Sequence, residues 1–402
     1  MDSTVEFNSL LDLIRLNYQP IRDDGAYQFF GGIESSISVV GNAENILFNQ
    51  TISKLYEIDK DIFRTISRKT FKDRVIALLR IKKVDSLKFS KEDVSDFYKS
   101  LREIEEVEFT VLRGIHGIII IPPTPFTFGD FTIYNYKNHE KEFKKLSGIL
   151  SEVIWNDPPP FLIEYKVKVR EANRAEEIAD QYFLRLTLFL KFMIGRKDHF
   201  YDIGILDYKT FFYDRAYIFS SKGSVSANSR NLGTFQPVDI TDEYFRNSDI
   251  GHSQLLLLVS KTNPSKLERK IINSVEWIGK SINEKDLQVA FIQVAIAIEI
   301  IFTVQEKSII TPSILNQISE SIALLLGDNL ENRLKIEKQI KDLYSIRSAI
   351  VHAGKEDIDE NDYTILLSYA GIIIRELLTK EELKNLSSIE ELYRYLKDIK
   401  YS

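Results

Sequence analysis

The sequence predicts an α+β protein, with a helical N-terminal stretch, a β-containing middle and an all-helical C-terminal part. Three observations carry that reading. Apolar residues recur at helical spacing up to about residue 105. Between about 106 and 250, β-rich runs alternate with proline and glycine punctuation. From about Ser265 onward every periodic segment is helical.

The elements follow in chain order. Phe7 to Leu16 and Ile62 to Ile81 carry apolar residues at helical spacing, the second interleaved with Arg64, Arg68, Lys69, Lys72 and Arg74. Ser90-Lys-Glu-Asp93 has the form of a capping box in front of a helix from Val94 to Ile104. Val107 to Leu112, His116 to Ile121 and Gly129 to Tyr134 read as strands, the second closed by Pro122-Pro123. Tyr165 to Arg170 alternates strictly, which sets Lys166, Lys168 and Arg170 on one face. A helix is expected from about Arg174 to Met193, with Asn173 as its N-cap. Ser220 to Pro237 is polar and rich in Gly, Ser and Asn, hence a loop or irregular hairpin.

The C-terminal part resolves into six helices. Lys266 to Ile282 is amphipathic, and Leu287 to Val304 is apolar nearly all round, as a central buried helix would be. A third helix opens at Thr311-Pro312-Ser313 and ends at Gly327. Asn332 to His352 is the fourth, with Gly354 at a C′-like position. Asp362 to Leu378 and Ser388 to Ile399 complete the set. Short connections between them predict an α-helical bundle of about 140 residues. The expected domains are an α+β recognition or regulatory region over 1–250 and the bundle over 262–402.

Composition narrows the function. A net charge of -6 excludes a strongly basic nucleic-acid protein, so any RNA contact must be local. Residues 261–402 hold 19 basic and 22 acidic side chains, so the bundle is not a basic module either. With no cysteine, disulfides, thiolate nucleophiles and cysteine zinc sites are ruled out. His116, His139 and His199 are scattered without metal-ligand spacing, and neither metal nor cofactor is expected. The start lacks a signal-peptide pattern, and no apolar run approaches the roughly 18 residues that span a bilayer. A cytoplasmic protein without membrane contact is the expectation.

The most informative stretch is Arg347-Ser348-Ala349-Ile350-Val351-His352. Arginine grips a phosphate bidentately at any working pH, and histidine moves protons near neutrality. Cleaving RNA without a metal needs both. Arg246 and His252 form a comparable Arg-x5-His pair, but Asn247-Ser248-Asp249-Ile250-Gly251 between them reads as a turn. Glu299 stands alone on an otherwise apolar helix and needs a partner, for which Arg347 is the candidate. That pair would steer the guanidinium or tie the bundle together.

Tyr344-Ser-Ile-Arg347-Ser348-Ala-Ile-Val351-His352-Ala-Gly354 resembles the Arg-Ser-x-Ile-Val-His signature of HEPN domains, above all the Apea-like HEPN family. The resemblance covers roughly 265–380, and more weakly the β-containing region in front. Ser348 stands where many active relatives carry Asn, Asp or His. The resemblance implies a metal-independent endoribonuclease leaving 2′,3′-cyclic phosphate and 5′-hydroxyl ends. It implies a homodimer through the C-terminal bundle, so that two motifs line one cleft. Carried over, His352 moves the proton of the attacking hydroxyl or of the leaving oxygen. Arg347 holds the phosphate, and Ser348 orients the imidazole or bonds the phosphate. Tyr344 and Glu299 support them. Lys166, Lys168, Arg170 and Lys355 are candidate RNA contacts. For the three on the strand, a solvated strand face is the other reading. Family analogy suggests antiviral abortive infection in a prokaryote, with RNA such as tRNA as substrate and a phage-derived trigger as partner. The alternative is a non-catalytic HEPN-fold interaction or sensor module.

Overall fold

The computed structural model describes residues 3–17, 27–30, 36–121, 125–147, 158–195, 203–205, 215–219, 225–229, 237–303, 314–353 and 358–401. The chain adopts the expected α+β class. Contacts divide it into two compact units, Met1–Val111 with Lys166–Asp180, and Leu112–Tyr165 with Gln181–Ser402. The expected boundary near 250–262 is not where contacts fall. Most of the middle segment belongs with the C-terminal helices.

The first unit opens with α1 (Ser3–Leu13), β1 (Ile14–Leu16), β2 (Tyr27–Phe30) and β3 (Ile37–Val40), followed by α2 (Asn42–Ile58), α3 (Lys60–Thr65), α4 (Arg68–Val84) and α5 (Lys91–Arg102). The strands form an antiparallel sheet in the order β1-β3-β2, with all four residues of β3 buried. The helix expected to Leu16 thus turns into a strand at Ile14. The helix expected over Ile62–Ile81 is broken in two. Ile66 is extended, and the Ser67 hydroxyl accepts from the Thr70 N–H at 3.1 Å to cap α4. The Glu171 carboxylate closes the break by accepting from the Ser67 N–H and the Thr70 hydroxyl. The capping box before α5 is present in both directions. Phe7, Phe48, Phe71 and Phe97 anchor this core.

The middle of the chain contributes β4 (Val107–Ile115), β5 (Ile118–Ile119), β6 (Phe126–Phe128), β7 (Phe131–Asn135), α6 (Tyr136–Ser147), β8 (Phe161–Val169) and α7 (Ala172–Ile194). The four-stranded sheet runs β4-β8-β7-β6. Gly129, at φ 59, makes the tight turn that pairs Phe128 with Phe131. Because α7 opens at Ala172, Asn173 lies inside its first turn and is not the N-cap. β9 (Arg215–Phe219) and β10 (Val225–Ser229) pair as a regular hairpin across the start of the expected loop. β11 (Val238–Asp239) adds in parallel to β5. A 3-10 turn over Glu243–Arg246 leads to α8 (His252–Val259).

The bundle follows: α9 (Lys266–Ile282), α10 (Leu287–Phe302), α11 (Ile314–Leu326), α12 (Leu330–Ala353), α13 (Glu360–Thr379) and α14 (Ile389–Tyr401). Ser265 and Glu268 form a capping box on α9, and Asp286 caps α10. α9 packs along α10, α11 along α12, and α13 against α10. Gly279 lets α9 approach α7, since a Cβ there would lie 2.3 Å from the Leu188 carbonyl oxygen. The Arg185 Nε–Glu276 pair at 2.9 Å joins the same two helices. The central helix differs from expectation in one respect. Phe291, Val294, Ile298, Ile301 and Phe302 are buried, but Ile292, Ile296 and Ile300 are only half-buried and Val289 is exposed.

Candidate active site

α12 and α10 build the site. Arg347 and Tyr344 lie one turn apart on α12, so both reach the facing helix. Tyr344 is buried, and its hydroxyl donates to the Ala295 carbonyl at 3.3 Å. The Arg347 Nε lies 3.2 Å from Glu299 Oε1, bringing together the two residues the sequence expects to pair. The contact is an ion pair and not a hydrogen bond, because the buried Nε–H is not aimed at the oxygen. The two Nη groups make no hydrogen bond among the described residues. Side-chain exposures of 29% for Arg347 and 23% for Glu299 leave the pair within reach of a ligand.

Burial pushes the Glu299 carboxyl above its usual range, and the neighbouring guanidinium pulls it part of the way back. Burial also pushes the Tyr344 phenol well up; the Glu299 charge adds to that and Arg347 opposes it. The desolvated Glu299 carboxylate thus lies beside the Nε of the arginine, next to the buried Tyr344 phenol.

His352 and Ser348 are exposed, on the final turns of α12, and neither side chain is hydrogen-bonded among the described residues. They are i and i+4, hence on one face. Five residues separate Arg347 from His352, which on a helix is about 7.5 Å of rise and about 140° of rotation. The guanidinium therefore turns inward to α10 while the imidazole turns to solvent. Val351, beside them, is 49% exposed, an apolar side chain at the rim of the site. Lys355, Gly354 and His199 lie outside the described residues. Among the described residues no group of three or more His, Asp or Glu gathers as a metal site.

Of the strand cations, Lys166 and Lys168 are exposed. Arg170 is corrected: it is not on an exposed face with them. It follows the end of β8 with a side chain only 9% exposed, paired to Asp61 at 2.6 Å and Glu106 at 3.3 Å. Lys72 likewise donates to Asn49 and lies over the Phe30 ring. The Arg246–His252 spacing is structural. His252 is buried against the Tyr244 carbonyl at 2.8 Å, burial pushes its pKa down, and Arg246 donates to Thr241 O.

Two side chains that reach the Glu299 end of α10 escape sequence reasoning. Lys270 on α9 and Tyr393 on α14 both donate to backbone carbonyls at the end of α10. A lysine at the border of an amphipathic face was the only available signal for the first.

No helix of the described residues is long and apolar enough to cross a membrane. No family model, curated protein or solved structure matches the chain.

Proposed function

We propose that the chain is a metal-independent endoribonuclease of the HEPN type, acting in the cytoplasm as a homodimer through its C-terminal helices. The observation that carries the reading is the Arg347 guanidinium, held by its Nε edge against Glu299 with both Nη groups unbonded, five residues before an exposed imidazole. The Nη edge matches the fork of a phosphodiester. In the reaction, a 2′-oxygen attacks phosphorus and the bond to the 5′-oxygen breaks. One imidazole takes the proton from the 2′-hydroxyl and another gives a proton to the leaving 5′-oxygen. Arg347 stabilises the charge that builds on the phosphoryl oxygens. One chain offers one such imidazole, so a second copy supplies the other. The half-open apolar face of α10 and the exposed Val351 are in keeping with a second copy covering them.

RNA such as tRNA is the proposed substrate, and abortive defence against phage, with a phage-derived trigger, the proposed setting. The first unit and the β-rich middle serve recognition and control. A second reading, a non-catalytic interaction or sensor module, has one observation in its favour: a desolvated ion pair between helices also fixes packing without chemistry.

The test is sequencing of 5′-hydroxyl RNA ends made by wild type, His352→Ala and Arg347→Ala. His352→Ala is expected to lower cleavage by about 10²- to 10⁴-fold and Arg347→Ala by about 10²- to 10³-fold. Ser348→Ala is expected to be milder, at about 1 kcal/mol. EDTA is expected to change nothing. Cleavage that persists in His352→Ala, or stops with EDTA, overturns the reading.

A further inference from the structure

The C-cap of α10, Thr303, is extended, at φ -84 and ψ 126. Its last carbonyls are taken by side chains from other helices. Lys270 on α9 donates to Ile300 O at 2.6 Å and to Thr303 O at 3.0 Å. Tyr393 on α14 donates to Phe302 O. The Thr303 hydroxyl folds back onto Glu299 O at 2.5 Å. The carbonyls so held belong to the turn whose first residue, Glu299, pairs with Arg347.

Lys270 gives up hydration to do this, and burial pushes its ammonium below the usual lysine range, against the pull of Glu390. A glycine in the left-handed conformation would satisfy the same carbonyls without removing a charge from water. The cross-helix cap does one thing that a glycine does not. It makes the position of Glu299 depend on α9, so the last turn of α10 has a fixed place in the bundle.

We propose that Lys270 is a positioning residue of the Arg347 site, acting through the last turn of α10 and the Glu299 carboxylate. The kinetic side of the proposal rests on the ribonuclease reading above. Glu299 is the ion-pair partner of the Arg347 guanidinium, at 3.2 Å from Nε, so the place of the carboxylate sets the place of the guanidinium. A shift of Glu299 by about 1 Å re-aims the guanidinium, and misplacement of that size costs a catalyst about 10²-fold.

The test uses the full chain. Lys270→Met keeps the stem and removes the donors; Lys270→Arg restores donors on a stem of similar length. Lys270→Met is expected to lower kcat for RNA cleavage by about 10- to 10²-fold with KM little changed, and Lys270→Arg to recover most of the loss. A lower melting temperature with unchanged kcat per folded molecule would mark a mere helix cap, and that result overturns the proposal. Where Lys270→Met fails to fold, Lys270→Arg is compared with Lys270→Gln: a higher kcat for arginine supports the proposal and equal values overturn it. A second readout is independent of cleavage. In chain labelled with nitrogen-15 arginine, the Arg347 Nε–H resonance is assigned by its loss in Arg347→Lys. A displaced resonance in Lys270→Gln supports positioning even where no RNA is cut, in which case the ribonuclease reading alone falls. An unmoved resonance overturns the proposal.

Discussion

At the scale of single residues, Glu299 sets a sign that can be measured. Its folded pKa is raised above the ordinary 4.5, so the folded state binds a proton more readily than the unfolded chain does. The stabilisation from that proton is fully present below about 4.5 and is lost as pH rises through the folded pKa. Wild type is therefore expected to gain stability relative to Glu299→Gln as pH falls from 7 toward 4.5. Urea unfolding at both pH values reads the difference directly, and a constant gap between the two proteins would contradict a desolvated carboxylate. Arg347→Ala removes the partner of this group. Because the pair is partly exposed, the expected loss of stability is small, about 1 kcal/mol, so lost activity is not lost fold. Arg170 shows the converse: with Arg64 it is one of two cations that Asp61 and Glu106 share, and the more buried of the two, so its removal is expected to be read in folding.

Among elements, the contact of α9 with α7 turns on one side chain that is absent. In a helix interior, replacing glycine by alanine stabilises by about 1 kcal/mol on propensity alone. At Gly279 the added carbon meets the Leu188 carbonyl at 2.3 Å, and backbone cannot swing aside. Overpacking costs about 1–3 kcal/mol, so Gly279→Ala is expected to lower stability, read as a lower midpoint in chemical denaturation. A raised midpoint would mean that α9 and α7 do not meet this closely. The helices around that contact are legible in the sequence because each has a long apolar face and several have polar caps, Ser265 with Glu268 being the clearest. β1, β2 and β3 are not legible, since three or four residues are too few to show alternation. The break at Ile66 is hidden because its closing carboxylate, Glu171, is over a hundred residues away. The Glu299–Arg347 pair is legible because a lone carboxylate on an apolar helix demands a cation. Lys270 is not, because its partners are backbone carbonyls, which no residue type marks.

For the whole molecule, two consequences can be checked. A dimer at micromolar concentration is expected from the need for two imidazoles, and light scattering that finds only monomer, with and without RNA, counts against it. The division of the chain also revises how it should be cut. A fragment over 262–402 loses the α7 surface that Gly279 and Glu276 engage, so it is expected to melt below a fragment over 181–402. Equal melting temperatures would show that α7 and α8 add nothing to the bundle. One feature of α12 bears on how the parts work together. Arg347 is paired to Glu299 on the facing helix, whereas the side chain of His352, five positions on, is exposed and makes no hydrogen bond among the described residues. In the proposed ribonuclease the guanidinium is therefore ordered before a ligand arrives, and the entropy of fixing the imidazole is drawn from binding. Grip on a phosphate and readiness to move a proton would then be separate quantities, set by different parts of one helix.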